Sequence, residues 1–183
     1  MRGFTLSELL GALTILAIVA ALAIPSFTAG DAVQKLELAA TEISHALQFV
    51  RSEAIRTGKP HALHSESNGQ ITLHTLDTSG IAPVLDEILR HPVSKQNYQF
   101  NVLTASNTSG IALSDSNPPF NFESPASVSI SSRDVYFTAN GAPHYIDGSG
   151  VYYRLTTGNI GLSSDGFQRS VSLAPINGRV AVQ

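Results

Sequence analysis

Cysteine is absent from all 183 residues. No disulfide can staple the fold, and thiol catalysis and cysteine-ligated metal are excluded with it. Charge is scarce too: 11 Lys and Arg stand against 14 Asp and Glu, for a net −3. That balance offers no basic field to a polyanion. The chain also lacks a Gly-rich phosphate cradle, a base paired with its serines, and a cluster of carboxylates. Nucleotide, nucleophilic and glycosidic chemistry therefore have no residues to work with, and no cofactor is expected. Neither an internal repeat nor a second domain is visible. About 150 residues remain once a first apolar segment is set aside, enough for one core that buries roughly 70% of the unfolded surface.

That apolar segment is the most informative feature present. Over residues 4–24 the only polar side chains are Thr5, Ser7, Glu8 and Thr14. At the helical rise the stretch spans roughly 31 Å, about the thickness of a bilayer's hydrocarbon core. A carboxylate at the centre of such a span costs on the order of 3 kcal/mol, and less near the interface. Glu8 therefore calls for a positive partner, most simply on a neighbouring helix. Three readings compete. A cleaved signal peptide has small residues around Ala29 to use, but only Arg2 as its basic region, and Glu8 interrupts its core. A plain anchor accounts for the length and not for the glutamate. A buried helix of a soluble domain accounts for neither the position nor the uninterrupted run.

Beyond Pro25 the helical pattern resumes. Leu36, Ala40, Ile43, Leu47, Val50 and Ala54 recur in alternating steps of four and three, a narrow apolar seam. Gly58 and Pro60 stop the helix, the glycine as a left-handed cap and the proline as a breaker. A continuous helix over 4–57 would run about 80 Å, and Pro25 would kink or loosen its middle. From His61 onward short alternating segments take over: Ile71 with Leu73, Tyr98-Phe100-Val102, Val128-Ile130, Val135-Phe137, Val151-Tyr153-Leu155, Ile160-Leu162, Val171-Leu173 and Val180-Val182. Asn68-Gly69, Asn140-Gly141, Asp147-Gly148, Asp165-Gly166 and Asn177-Gly178 are hairpin-type pairs between them. Roughly eight strands so punctuated predict antiparallel sheets packed on the helix. Residues 104–125, rich in Ser, Asn and Pro, read as a long mobile loop.

Gly3-Phe4-Thr5-Leu6-Ser7-Glu8-Leu9-Leu10 resembles the prepilin motif of type IV pilins and type II secretion pseudopilins. The resemblance implies cleavage between Gly3 and Phe4 by a prepilin peptidase and methylation of the new Phe4 amino group. Glu8 and Pro25 fall where that family has its glutamate and its helix-interrupting proline. Ser7 departs mildly from the branched aliphatic residue usual before the glutamate. Ala46-Leu47-Gln48-Phe49-Val50-Arg51-Ser52-Glu53-Ala54 with the basic turn up to Gly58 resembles the helix end of the GspH/FimT branch of minor pilins. Arg169 to Pro175 and Asn177-Gly178-Arg179-Val180 resemble its closing hairpin.

The implied fold is α+β, a long N-terminal transmembrane helix packed on an antiparallel β-sandwich-like domain. Its expected parts are a leader at 1–3, a transmembrane segment at 4–28, the soluble half of the helix at 29–59 and a β-rich domain at 60–183. The implied protein is a single-pass subunit of the bacterial inner membrane with its C-terminal domain in the periplasm. Its partners would be the prepilin peptidase, other minor subunits and the major subunit, in a type IV pilus or a secretion pseudopilus. Priming or tip assembly of the filament is the implied task. Some members of the branch bind DNA through a Gly-Arg-x-Arg motif, but here Gly178-Arg179-Val180-Ala181 lacks the second arginine. Arg154, Arg169 and Arg179 remain candidate DNA contacts, against a bland reading as solvated strand residues.

His61, His64 and His74 have spacings that can serve a metal. On a strand, however, His61 and His64 point to opposite faces, which favours structural histidines and no metal.

Overall fold

The computed structural model describes residues 5–65, 70–91, 93–97, 99–101, 112–113, 118–164 and 166–183, with 21–32, 99–101 and 112–113 described as backbone alone. One helix, α1 (Leu6–Thr57), takes the chain into the sheet. Its 52 residues give it a length of about 78 Å. It runs through Pro25, where the ring removes the amide that would donate to residue 21. Thr5 caps its start with extended backbone, and Gly58 ends it in the left-handed region at φ 66°, its amide donating to the Ala54 carbonyl.

Twelve strands follow among the described residues: β1 (His61–Ser65), β2 (Gln70–Asp77), β3 (Val84–Ile88), β4 (Gln99–Asn101), β5 (Ala112–Leu113), β6 (Phe120–Glu123), β7 (Ser129–Ser132), β8 (Val135–Phe137), β9 (Pro143–Ile146), β10 (Tyr152–Ser164), β11 (Phe167–Leu173) and β12 (Val180–Val182). All pair antiparallel, in a main order β12-β11-β10-β9-β8-β1-β2-β3. β10 is the joint. Its first residues face β9, its middle faces β6, and its last seven face β11. Thr156 is an extra residue between the Leu155–Phe122 and Thr157–Asn121 pairs, a bulge that lets a 13-residue strand bend.

The predicted seam is the core. Leu36, Ala40, Ile43, Leu47, Val50 and Ala54 are all buried, packed on Leu63, Leu73, Phe137, Leu155, Leu162 and Val171 from alternate positions of the strands. The chain thus joins a helical period on one side to a strand period on the other, and each buries the other's apolar face.

Several expectations need correction. The stretch read as a loop over 104–125 contains β6, whose Phe120 and Phe122 are among the largest fully buried side chains. It also holds β5, while 102–111 and 114–117 lie outside the described residues. Pro118-Pro119 and the serines around them hide a four-residue alternation. β3 and β9 have no counterpart among the predicted segments. The two strands expected at Val151-Tyr153-Leu155 and Ile160-Leu162 are one continuous strand, β10. At Asp147-Gly148 the left-handed residue is Gly150, at φ 79°, closing a turn in which its amide donates to the Asp147 carbonyl. Tyr98, Val102, Asn68-Gly69 and Asp165 lie outside the described residues.

Candidate assembly interface

The first turn of α1 satisfies itself. The Glu8 carboxylate accepts from the Thr5 amide at 2.9 Å and from the Thr5 hydroxyl at 2.9 Å, while the Thr5 oxygen accepts from the Glu8 amide at 3.4 Å. This reciprocal box takes care of two of the amides that a helix start leaves without partners. Gly3 and Phe4, the residues of the expected cleavage and methylation, lie outside the described residues. From Leu6 to Val19 the apolar side chains are exposed all round the helix, Leu6 at 80% and Leu9, Leu13 and Leu16 all above half. Among the described residues, no part of the chain's own sheet covers them. An apolar surface on every side of a helix is stable only in lipid or against other helices. Among the described residues no helix is long and apolar enough to cross a membrane. The expected span over 4–28 is described with its side chains only from 5 to 20.

The second half of α1 is clamped to the sheet. Arg51 donates from Nε to the Gly141 carbonyl at 3.2 Å. Gly178, at φ 63°, lies so close that a Cβ there would stand 2.7 Å from the Gly141 oxygen and 3.1 Å from Arg51 Cδ. Arg51 therefore ties the helix end to the turn after β8 and to the closing hairpin. The sequence displays Arg51 within a motif but gives no sign of its partner, which lies 90 residues away. At the other end of the buried stretch Arg169 Nε meets Glu37 at 3.1 Å.

The three arginines weighed as DNA contacts are not brought together. Arg169 stands opposite the buried Leu162 and turns to the helix, where Glu37 neutralises it. Arg154 lies eight positions earlier on β10, roughly 25 Å along the strand, opposite Glu123 of β6. Arg179 follows the Gly178 turn and is exposed. Ala181 pairs with Ser172 and supplies no cation.

Of the histidines, His61 is buried with Nδ1 2.8 Å from the Lys59 carbonyl. His64 holds Asp134 at 2.7 Å and meets the His74 ring edge-on at 6.0 Å. Burial lowers the His74 pKa. No group of three or more ligating residues that could hold a metal occurs among the described residues. A further histidine, His144, carries no signal in the sequence. It is 3% exposed, stacked on Tyr152 at 5.1 Å and edge-on to Tyr136 at 5.9 Å, and its burial lowers its pKa.

A helix apolar all round at its start and buried on one face at its end, set on an antiparallel sheet, defines a pilin-like subunit. Residues 39–176 match the family described as type II transport protein GspH, and residues 1–24 match the prokaryotic N-terminal methylation motif. The chain belongs to the GspH family: it is a minor pilin or pseudopilin, a subunit of a type IV pilus or of a type II secretion system. No curated protein matches it. Among solved structures it is similar to the type IV minor pilin FimU of Pseudomonas aeruginosa, at 18% identity over 82% of this chain and 89% of that one, with a TM-score of 0.46. It is likewise similar to the minor pseudopilin EpsH of Vibrio cholerae, at 14% identity over 81% and 96%, with a TM-score of 0.48.

Proposed function

We propose that the chain is a non-enzymatic structural subunit that enters the filament through its N-terminal helix and acts in priming or tip assembly. In this reading a prepilin peptidase cuts between Gly3 and Phe4, Phe4 is methylated, and the protein waits in the inner membrane with its sheet in the periplasm. Its partners are then the other minor subunits and the major subunit. One observation carries the reading: among the described residues the apolar side chains from Leu6 to Val19 are exposed, whereas from Leu36 the same helix is sealed against the sheet. A helix so divided has one half for its own head and one half for something else. Intact-mass measurement of membrane-extracted protein tests the processing. The expected species begins at N-methyl-Phe4, and a mature form beginning near Ala29 would sink the reading. No arrangement of cations among the described residues supports the DNA-binding alternative.

A further inference from the structure

β12 is the end strand of the main sheet order, and no strand pairs its far edge among the described residues. Its register with β11 shows which groups are left over. Gln183 exchanges both backbone bonds with Ser170, and the Arg179 carbonyl accepts from the Ala174 amide. The alternation of an antiparallel ladder then turns the amides and carbonyls of Val180 and Val182 away from β11, toward the open edge. An aliphatic edge of this kind is a template for a further strand unless it is blocked, and neither proline nor lysine blocks it. Beside this edge lies an open cleft of about 690 Å³ over β10, β11 and β12. Its lining includes the paired Ser172 and Ala181, both small, the polar Asn159 and Thr157, and Pro175 and Asn177 of the turn before β12. That lining holds one cationic side chain, Arg179, and no acidic side chain. That guanidinium has no hydrogen-bond or ion-pair partner among the described residues, whereas Arg56 has Glu53 and Arg169 has Glu37.

We propose that β12 and the adjoining cleft receive an extended, carboxylate-bearing segment of another filament subunit, which adds a strand along Val180–Val182 and pairs its carboxylate with Arg179. The inference rests on the reading of the chain as a filament subunit and assigns that subunit a second contact, made by the head and not by the helix. Main-chain bonds along the edge supply attraction that any sequence can make, and the lone cation selects the acidic one. A nucleic acid is the less fitting occupant, because phosphate binding draws on several cations and this cleft has one.

The test uses the full chain in cells that build the filament, with a photo-crosslinking amino acid placed at Ala181 and, as a control, at Leu16 in the helix. Adducts are digested and sequenced. The expected result is a cross-link from position 181 to an Asp- or Glu-containing segment of a subunit that carries the same N-terminal methylation motif. R179E should lower its yield about tenfold, the size of one charge-assisted pair, and R179K should restore most of it. V182P removes only an outward amide and spares the ladder to β11. It should abolish the adduct while leaving the melting temperature of the detergent-solubilised chain within about 3 °C of wild type. Cross-links from Leu16 to filament subunits with none from 181 overturn this proposal and leave the filament reading standing. So does an adduct at 181 that is indifferent to R179E and V182P, or one formed with nucleic acid. Absence of subunit adducts at both positions overturns both readings.

Discussion

Gly178 and His144 are single residues on which much of the head depends, for different physical reasons. Gly178 is held at positive φ with the Gly141 carbonyl and the Arg51 stem against the place where a side chain would begin. Gly178→Ala must therefore bear left-handed strain and also displace backbone. A loss of at least about 2 kcal/mol is expected, read as a fall in the melting temperature of the full chain in detergent. Gly166, also at positive φ but with open space around its missing Cβ, should show only the conformational part when changed to alanine. An equal loss at the two positions would mean that the Arg51 clamp contributes nothing. His144 lies between Tyr136 and Tyr152, and burial holds it neutral with a lowered pKa. The unfolded chain then binds the proton more readily than the folded one. The stability contributed is whole above the ordinary histidine pKa of about 6.5 and is lost as pH falls from there toward the lowered folded value. His74, half-buried and shifted the same way, adds to the trend. His144→Phe keeps an aromatic ring in the stack, and it should flatten the stability–pH curve below about pH 6.5 while leaving stability at pH 8 nearly unchanged. A curve as steep as wild type would remove His144 from this account.

Among the elements, the second half of α1 is the most legible and β6 the least. The seam from Leu36 to Ala54 could be read because six apolar residues keep a helical step for five turns, and Gly58 and Pro60 mark where it stops. β6 could not, because its alternation lasts only four residues and sits behind two prolines. Only the packing shows that Phe120 and Phe122, on the strand paired to β10, are buried in the same core as the α1 seam. Phe122→Ala should cost about 3–5 kcal/mol, whereas Phe167→Ala, at an exposed strand start, should cost well under 1. Comparable losses at both would return residues 118–123 to the status of a loop. β10 looked like two strands because Gly158 and Asn159 stand in its middle. The site is crowded: a Cβ at Gly158 would meet Leu173 at 3.0 Å and Phe120 at 3.3 Å, so its neighbours would have to give by a few tenths of an ångström. The signal that read as a break marks a close crossing. β9 was invisible for a related reason, since Pro143 heads it and His144 occupies the position where an aliphatic residue would have declared the strand. The candidate assembly interface divides in the same way. Its apolar helix and Glu8 are written in order along the chain. Arg51 with Gly141, Arg169 with Glu37, and the cleft under Arg179 each join residues far apart in sequence, so no local pattern announces them.

At the scale of the whole molecule the proposed function raises the question of how a helix with a carboxylate near its apolar start would be kept in lipid and then drawn into a filament. The capping box supplies half of an answer, because Glu8 already accepts two hydrogen bonds from Thr5 and so carries part of its desolvation within its own first turn. The other half is charge. In the proposed mature protein an amino terminus at Phe4 stands four residues away on the same chain and again on every neighbour, and a carboxylate shielded from water favours such a partner strongly. Two substitutions separate these roles. Glu8→Gln keeps an oxygen able to accept from the Thr5 amide and removes the charge, whereas Glu8→Ala removes both. Neither should impair insertion, since each lowers the cost of placing the helix in the bilayer. If the charge recruits the subunit, both variants are recovered normally in the membrane fraction and both are depleted about tenfold or more from sheared filaments, the scale of one lost ion pair. If the cap is what matters, Glu8→Gln enters filaments like wild type and only Glu8→Ala fails. Normal entry of both variants would refute an assembly role for Glu8 and reduce it to a helix cap.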